Sequence, residues 1–307
     1  MTCTAVDTRS QQRHGHIGRL VALAEVTAVF AATHVLYRAI KRFTLLGEWE
    51  GAAGTNFIPG VVMIAVTVLI LLLGRRQVEA YGLGLRWWPQ DLNLGLACGI
   101  VVIAVSAVAL GVTGYRYDAA RPPDPNGPPQ FMRTLGAPVV GLLALLALLA
   151  VIRRVRGKWH PPPAVSVAVL LALLALPPIL GAYLHRPAVW LAVLWNFLGA
   201  GFGEEIFFRG YIQSRVDAAF GWPWRVLGSA VGPGLIVSSL LFGLIHALNT
   251  VDYFSGRWEF GWCYGLGTTI VGLFYGYLRA RTGRVWAGAV THGLVDTYAI
   301  LPGMLSA

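Results

Sequence analysis

Apolar runs of about 20 residues recur along this chain, and the connections between them are short and rich in arginine. The runs cover 20–40, 57–74, 91–113, 134–152, 164–184, 188–213, 230–249, 260–280 and 285–304. In hydrocarbon every backbone N–H and C=O must be bonded within its own segment, so runs of this length read as helices. The expected fold is all-α, a polytopic integral membrane bundle of eight or nine transmembrane helices. Composition agrees, with hydrophobic residues at 56% and charged residues at 12%, where a soluble domain carries about 25% charged.

Two runs are irregular. The first holds Glu25 and His34, and the fifth is interrupted by Pro177-Pro178, which predicts a kink or a re-entrant segment. Arg9, Arg13 and Arg19 precede the first run as in a secretory signal. Its internal charges, and Arg38, Lys41 and Arg42 after it, favour an uncleaved first span. With no internal repeat and no long polar stretch, residues 1–307 read as one membrane domain. Residues 1–185 supply N-terminal spans, and 186–307 supply a core carrying the polar motifs.

The net charge of +10 could point to nucleic acid. The cations sit in clusters between apolar runs, however, which is how cytoplasmic loops face anionic lipid. The lipid bilayer is thus the expected partner, and nucleic acid is not. With nine spans and a cytoplasmic N-terminus, the inside segments hold 16 Lys or Arg and the outside segments 8. The inside set includes Arg75, Arg76, Arg86, the cluster Arg153-Arg154-Arg156-Lys158, and Arg279, Arg281 and Arg284. The protein is therefore expected in the cell membrane, N-terminus inside. The proline-rich loop 114–133 reads as an extended connector. Trp87, Trp88, Trp159, Trp222, Trp224 and Trp286 near span ends suit an interfacial belt. Cys3, Cys98 and Cys263 form no CxxC pair and read as packing residues.

The chemistry is concentrated in the last 110 or so residues. Glu204, Glu205 and Arg209 stand within six residues of one another, where each charge near a bilayer centre costs about 2.5–3.5 kcal/mol. Glu205 and Arg209, four apart, can pair along one helix face. Glu204 lies about 100° round the helix and is left comparatively free. In the next run Phe242 and His246 are four apart, so an aromatic ring should pack one turn below the imidazole. His292 and Asp296 repeat the spacing in the last run, where the acid can accept an imidazole N–H. Ionisable groups inside spans face the bundle interior and pair with each other, so three such spans should bring these groups together. Water activation by acid–base chemistry is available to them, with or without a metal. Glu204, His246 and His292 are also a competent zinc set. An HExxH motif and a GxSG element are both absent.

Glu204-Glu205-xxx-Arg209, Phe242-xxx-His246 and His292-xxx-Asp296, in that order, resemble the three motifs of the CPBP family, the CAAX prenyl endopeptidases and bacteriocin-processing (Abi) proteins. The stretch 276–286 resembles the approach to the third motif. The resemblance implies an intramembrane endopeptidase, glutamate-dependent or metal-dependent, acting on membrane-associated peptides. By that likeness Glu204 activates water with His246 as its partner, and Glu205 and Arg209 hold the site. His292 and residue 296 stabilise the oxyanion. The family often has Asn at the last position. An ionised Asp cannot donate a hydrogen bond, so Asp296 is assigned the orientation of His292. The rival readings are a non-catalytic immunity or scaffold protein, and a proton-coupled transporter using the same acids and histidines as a relay.

Overall fold

A computed structural model describes residues 8–86, 88–113, 162–186 and 189–299. The long helices are α1 (Thr8–Phe43), α3 (Phe57–Leu73), α4 (Trp88–Thr113), α5 (Pro163–Tyr183), α6 (Val189–Phe220), α7 (Pro233–Ala247), α8 (Trp262–Thr282) and α9 (Trp286–Ala299). A short α2 (Leu45–Ala53) follows α1; Thr44 caps its start and a left-handed Gly54 ends it. The expected span at 134–152, the loop 114–133 and the cluster at 153–158 lie outside the described residues.

The all-α membrane bundle fits, while the count of eight or nine spans is not confirmed. Among the described residues five helices are long and apolar enough to cross a membrane: Ile17–Phe43, Trp88–Val105, Pro163–Tyr183, Val189–Phe220 and Pro233–Thr250. Phe57–Leu73 is apolar but shorter. Helix α8 falls outside that set because it carries Gly, Thr and Tyr and packs inside the bundle, where lipid-like side chains are not required, and α9 because it is only 14 residues long. Their buried residues include Phe274, Tyr275, Leu278 and Leu294. Two further details refine the expectation. Pro177 and Pro178 do not break α5, which runs as one helix through them; such prolines are tolerated in membrane helices. A small antiparallel hairpin, β1 (Trp224–Val226) with β2 (Ser229–Val231), interrupts the all-α pattern. Leu227 and Gly228 at its tip both have positive φ, as a type I′ turn requires.

Helix α6 is the centre of the molecule. On one side Phe207, Phe208, Tyr211 and Ile212 pack into a core with Val26 and Phe30 of α1, Met63 of α3 and Phe242 of α7. On the other, Phe197 packs with Leu92 and Leu96 of α4 and Val290 and Leu294 of α9. Between apolar helices in lipid there is little hydrophobic drive, since lipid tails are as apolar as leucine, so close backbone approach and polar bonds carry the association. Both are present. A Cβ built on Gly203 would stand 2.7 Å from the Gly60 Cα, and one on Gly201 would stand 2.5 Å from the Gly293 Cα. Those contacts clamp α6 between α3 and α9. Leu72, Leu171 and Val61 meanwhile point outward, as lipid-facing residues should.

The bundle has two distinct ends. Contacts Glu25–Arg215, Asp91–Arg284 and Arg279–Ser214 gather one end, where α1 begins. At the other, Lys41 pairs with Glu50 at 3.0 Å, Arg38 bonds the Val251 carbonyl, and the 248–261 connection joins α7 to α8. The first is called the basic end here and the second the far end.

Candidate active site

The motif helix differs from the α-helix its sequence predicts. Residues Trp195–Glu204 and Ile206–Gln213 are π-helical, with α geometry only at Glu205 between them and in the flanks. Such i→i+5 segments are rare and tend to mark functional sites. In the first segment Gly199, Gly201 and Gly203 weaken α preference by about 1 kcal/mol each. The second is pinned from outside by two side chains. Arg209 Nη2 donates to the Gly272 carbonyl at 3.1 Å, and Gln213 Nε2 donates to the Gly276 carbonyl at 3.0 Å. Both pairs are four residues apart, so the bonds form a two-rung ladder between α6 and α8.

Glu205 and Arg209 are both wholly buried, and Arg209 Nη1 donates to Glu205 Oε1 at 2.9 Å. The guanidinium lies over the Phe242 ring at 4.3 Å and near Tyr275 at 5.4 Å. Aromatic faces thus compensate part of a charge that water cannot reach. Gly288 of α9 leaves room for this carboxylate, since a Cβ there would come within 2.9 Å of Glu205 Oε2. From α9, His292 Nδ1 reaches Glu205 Oε1 at 3.2 Å, while its Nε2 faces Asp296 Oδ2 at 3.4 Å and Glu204 Oε2 at 3.9 Å. Both ring nitrogens thus face carboxylates, which can only accept, so both contacts are hydrogen bonds together only when both nitrogens carry hydrogen. Tyr275 stacks on it at 4.7 Å and Phe242 meets it edge-on at 5.7 Å.

His246 is held differently. Its Nδ1 is 2.7 Å from the Phe242 carbonyl, which can only accept, so Nδ1 carries the hydrogen and Nε2 is left as an acceptor. The Phe242 ring lies 4.6 Å away, in the one-turn relation that the spacing implies, and Tyr264 packs against it edge-on at 5.2 Å. No direct bond joins His246 to Glu204 among the described residues. The imidazole that Glu204 meets most closely is His292.

Glu204 stands apart from all of these. Its side chain is 16% exposed, and Oε2 is buried without a hydrogen-bond partner. Asp296 is more open, at 34%. The six predicted residues are thus carried by three adjacent helices. Glu205, Arg209, His292 and Asp296 are linked in a chain of contacts, Glu204 borders that chain, and His246 is near it through Phe242. Sequence reasoning missed Tyr264, Tyr275 and Gly272. Tyr264 and Tyr275 are eleven residues apart, three helical turns, and that spacing inside a span could have marked them as one face. As for a metal, no group of three His, Cys, Asp or Glu side chains among the described residues is arranged to hold one. Both His292 ring nitrogens face carboxylates instead, and the candidate set Glu204, His246 and His292 is not gathered into a cage.

Residues 186–298, a little over a third of the chain, match the family model of the type II CAAX prenyl endopeptidase, Rce1-like. Over that stretch the chain is similar to that family. The matched stretch begins just before α6 and ends at Tyr298, so it contains all six candidate residues. The match and the five long apolar helices support a multi-pass membrane protein, and the expected likeness to CAAX-type proteases agrees with them. No solved structure matches the chain.

Proposed function

We propose that the chain is an intramembrane endopeptidase that hydrolyses membrane-associated peptides with Glu204 as general base. The observation that carries this reading is the state of one carboxylate. Glu204 is nearly enclosed, has an unbonded buried oxygen, and stands beside His292 in a site whose other buried charges are already paired. A buried carboxylate without partners is costly, and it is retained where a substrate or water completes it.

In the proposed reaction a water bound to Glu204 attacks the scissile carbonyl carbon and gives one proton to the carboxylate. His292 Nε2, on the side of Glu204 and Asp296, donates to the oxyanion as it forms. His246 Nε2 accepts the second hydrogen of the water and so turns a lone pair toward the carbonyl. When the C–N bond breaks, Glu204 returns its proton to the leaving amine, and one water is consumed. Glu205 acts through others: its charge is matched by Arg209, and its contact with His292 Nδ1 sets the ring plane. Asp296, 3.4 Å from Nε2, holds that N–H before the oxyanion forms and yields it as the oxyanion develops. Glu204, His246 and His292, the donors expected for a divalent metal such as zinc, are not gathered around one point among the described residues. The substrate is a membrane-associated peptide, either of CAAX type or a sorting or leader segment.

The test is a comparison of membrane peptides from cells making the wild-type chain or Glu204→Gln. Peptides that accumulate uncleaved only in the variant are the expected result. Identical peptide sets, at equal amounts of inserted protein, overturn the assignment.

A further inference from the structure

We propose that a cavity at the far end, between the last turn of α1 and the connection after α7, binds the phosphate head group of an anionic phospholipid. The site is separate from the candidate active site, and the inference stands whether or not Glu204 is a base.

The cavity encloses about 180 Å³ and is lined by Arg38, Lys41, Arg42, Asp252 and Phe254. Pockets that take whole small molecules measure about 300–1,000 Å³. This one therefore admits a head group and leaves the rest of the molecule outside. Two of the cations are fixed by the protein. Arg38 Nη2 donates to the Val251 carbonyl, and the guanidinium lies 5.8 Å from the centre of the Tyr253 ring. Lys41 Nζ donates to Asn56 Oδ1 at 2.6 Å and pairs with Glu50 at 3.0 Å. Each keeps N–H capacity to spare. Arg42 is exposed, and no hydrogen bond or ion pair engages it among the described residues. Asp252 is the unfavourable neighbour for an anion, but its Oδ1 already accepts from the Phe254 N–H at 3.2 Å. With Glu50 behind Lys41 included, three cations face two carboxylates, and one positive charge is left unmatched. An anion is the complementary ligand.

Position favours a lipid as the source of that anion. The apolar span Ile17–Phe43 ends at the cavity, which places the cations at the level of lipid head groups. Immediately beyond Arg42, the side chains of Phe43, Leu45 and Leu46 are 67%, 81% and 54% exposed. Phe43 also meets the cavity-lining Phe254 edge-on at 4.9 Å. Exposed hydrocarbon beside unmatched positive charge suits a molecule with an anionic head and acyl chains. Cations at the end of an apolar span can also be there only to reach water. That explanation covers Arg42 alone, because Arg38 and Lys41 are tied inward, to the 248–261 connection and to α2, and form a fixed wall.

The test uses the full-length chain in a neutral detergent and follows its melting temperature as lipid is added. Dioleoylphosphatidylglycerol should raise melting saturably, and dioleoylphosphatidylcholine, which has no net charge, should not. Arg42→Ala should raise the phosphatidylglycerol concentration for half effect about fivefold, the worth of one cation at an anionic surface. Arg42→Lys should stay near wild type. Because Arg42 bonds to nothing described, both variants should fold normally. Arg225→Ala makes the same charge change on the β hairpin, which does not line the cavity, and should leave the titration unchanged. No saturable effect, equal stabilisation by the two lipids, or equal response of Arg42→Ala and Arg225→Ala overturns the site. A last arm replaces lipid with soluble glycerophosphate. Stabilisation to the same extent, with the same dependence on Arg42, would make the ligand a free phosphate ester and overturn the lipid assignment.

Discussion

Two half-buried carboxylates on facing helices, Glu25 and Glu204, have opposite fates. Glu25 Oε1 accepts from Arg76 Nη2 at 2.8 Å and Tyr211 OH at 2.9 Å, and its Oε2 accepts from Arg215 Nε at 2.7 Å. Every lone pair direction facing protein is used, and the acid fastens α1 to α6 and to the segment after α3. Glu204 lies nearer the far end with no donor at hydrogen-bond distance. Charge inside a membrane is expensive in either place. At Glu25 the cost is offset within the fold, whereas at Glu204 it is left for a bound molecule to offset. A charged donor at hydrogen-bond distance, which Glu25 and Glu205 have and Glu204 lacks, therefore separates the structural acids here from the reactive one.

The sharpest way to break that comparison is Glu204→Gln. An amide keeps the shape and hydrogen-bonding capacity but cannot accept the water proton, so peptidase turnover should fall about 10²–10⁴-fold, the range of general base catalysis. Because no protein bond is lost, melting of the detergent-purified protein should change little. Retained turnover, or a collapse in folding like that of a structural acid, would remove the distinction.

Arg209→Ala attacks the neighbouring pair instead. Removing one partner of a buried ion pair strands the other charge, at a cost of about 3–5 kcal/mol. The Gly272 rung of the ladder to α8 and the cation–aromatic contacts go with it. Folded yield in membranes and turnover should both fall steeply. Arg209→Lys should recover only part of either, since an ammonium is a point donor that cannot reproduce the planar fork over Phe242 while bonding both partners. Normal yield for the alanine variant would mean that Glu205 is satisfied some other way.

Much of the site was legible from spacing, because i,i+4 pairs stay neighbours in any helix of about this pitch. Glu205 with Arg209, Phe242 with His246 and His292 with Asp296 all meet. What spacing along one helix leaves open is which partner crosses between helices. Of the two imidazoles expected to meet Glu204, His292 comes closer: the Nδ1–carbonyl bond within α7 fixes His246, and α9 brings His292 Nε2 to 3.9 Å. The π geometry of α6 was also hidden, since it arises from packing of Gly201 and Gly203 on other helices and from carbonyls of α8 that no local pattern reveals. Glu25 and His34 weakened the first span on sequence grounds, yet they are reasons it is anchored. Glu25 has three donors, and His34 Nδ1 is 2.6 Å from the Tyr37 hydroxyl. The span count was the least legible feature, because an interior helix such as α8 can trade apolar residues for Gly and Tyr.

Glu25→Gln probes the structural side of the comparison, with a smaller effect. The amide keeps one acceptor but loses the charge that matches Arg76 and Arg215. Bonds to charged groups are worth about 1.5–3 kcal/mol when buried. These are partly exposed, so about 1–2 kcal/mol of destabilisation is expected after screening. The melting temperature in detergent should drop while turnover per folded molecule stays at the wild-type level. A loss of turnover at full stability would make Glu25 part of the reaction and erase the contrast.

Asp296→Asn should have the smallest effect, and it decides where the boundary between the two kinds of acid runs. The Asp296–His292 contact is long, 3.4 Å, and its carboxylate is a third exposed. Exposed ion pairs contribute about 0.2–1 kcal/mol, which at the transition state is roughly a one- to five-fold change in rate. Asn retains an oxygen that accepts from His292 Nε2 and adds an N–H that can face the oxyanion. A role limited to orienting the ring predicts turnover within about five-fold of wild type, in either direction, while Asp296→Ala, which keeps no acceptor, should fall below the asparagine variant. A loss of a hundredfold or more for Asn alone, measured with unchanged KM, would mean that the charge itself is used. Asp296 would then stand with Glu204 as an acid left open for the reaction, and a charged donor at hydrogen-bond distance would no longer suffice to tell the two kinds apart.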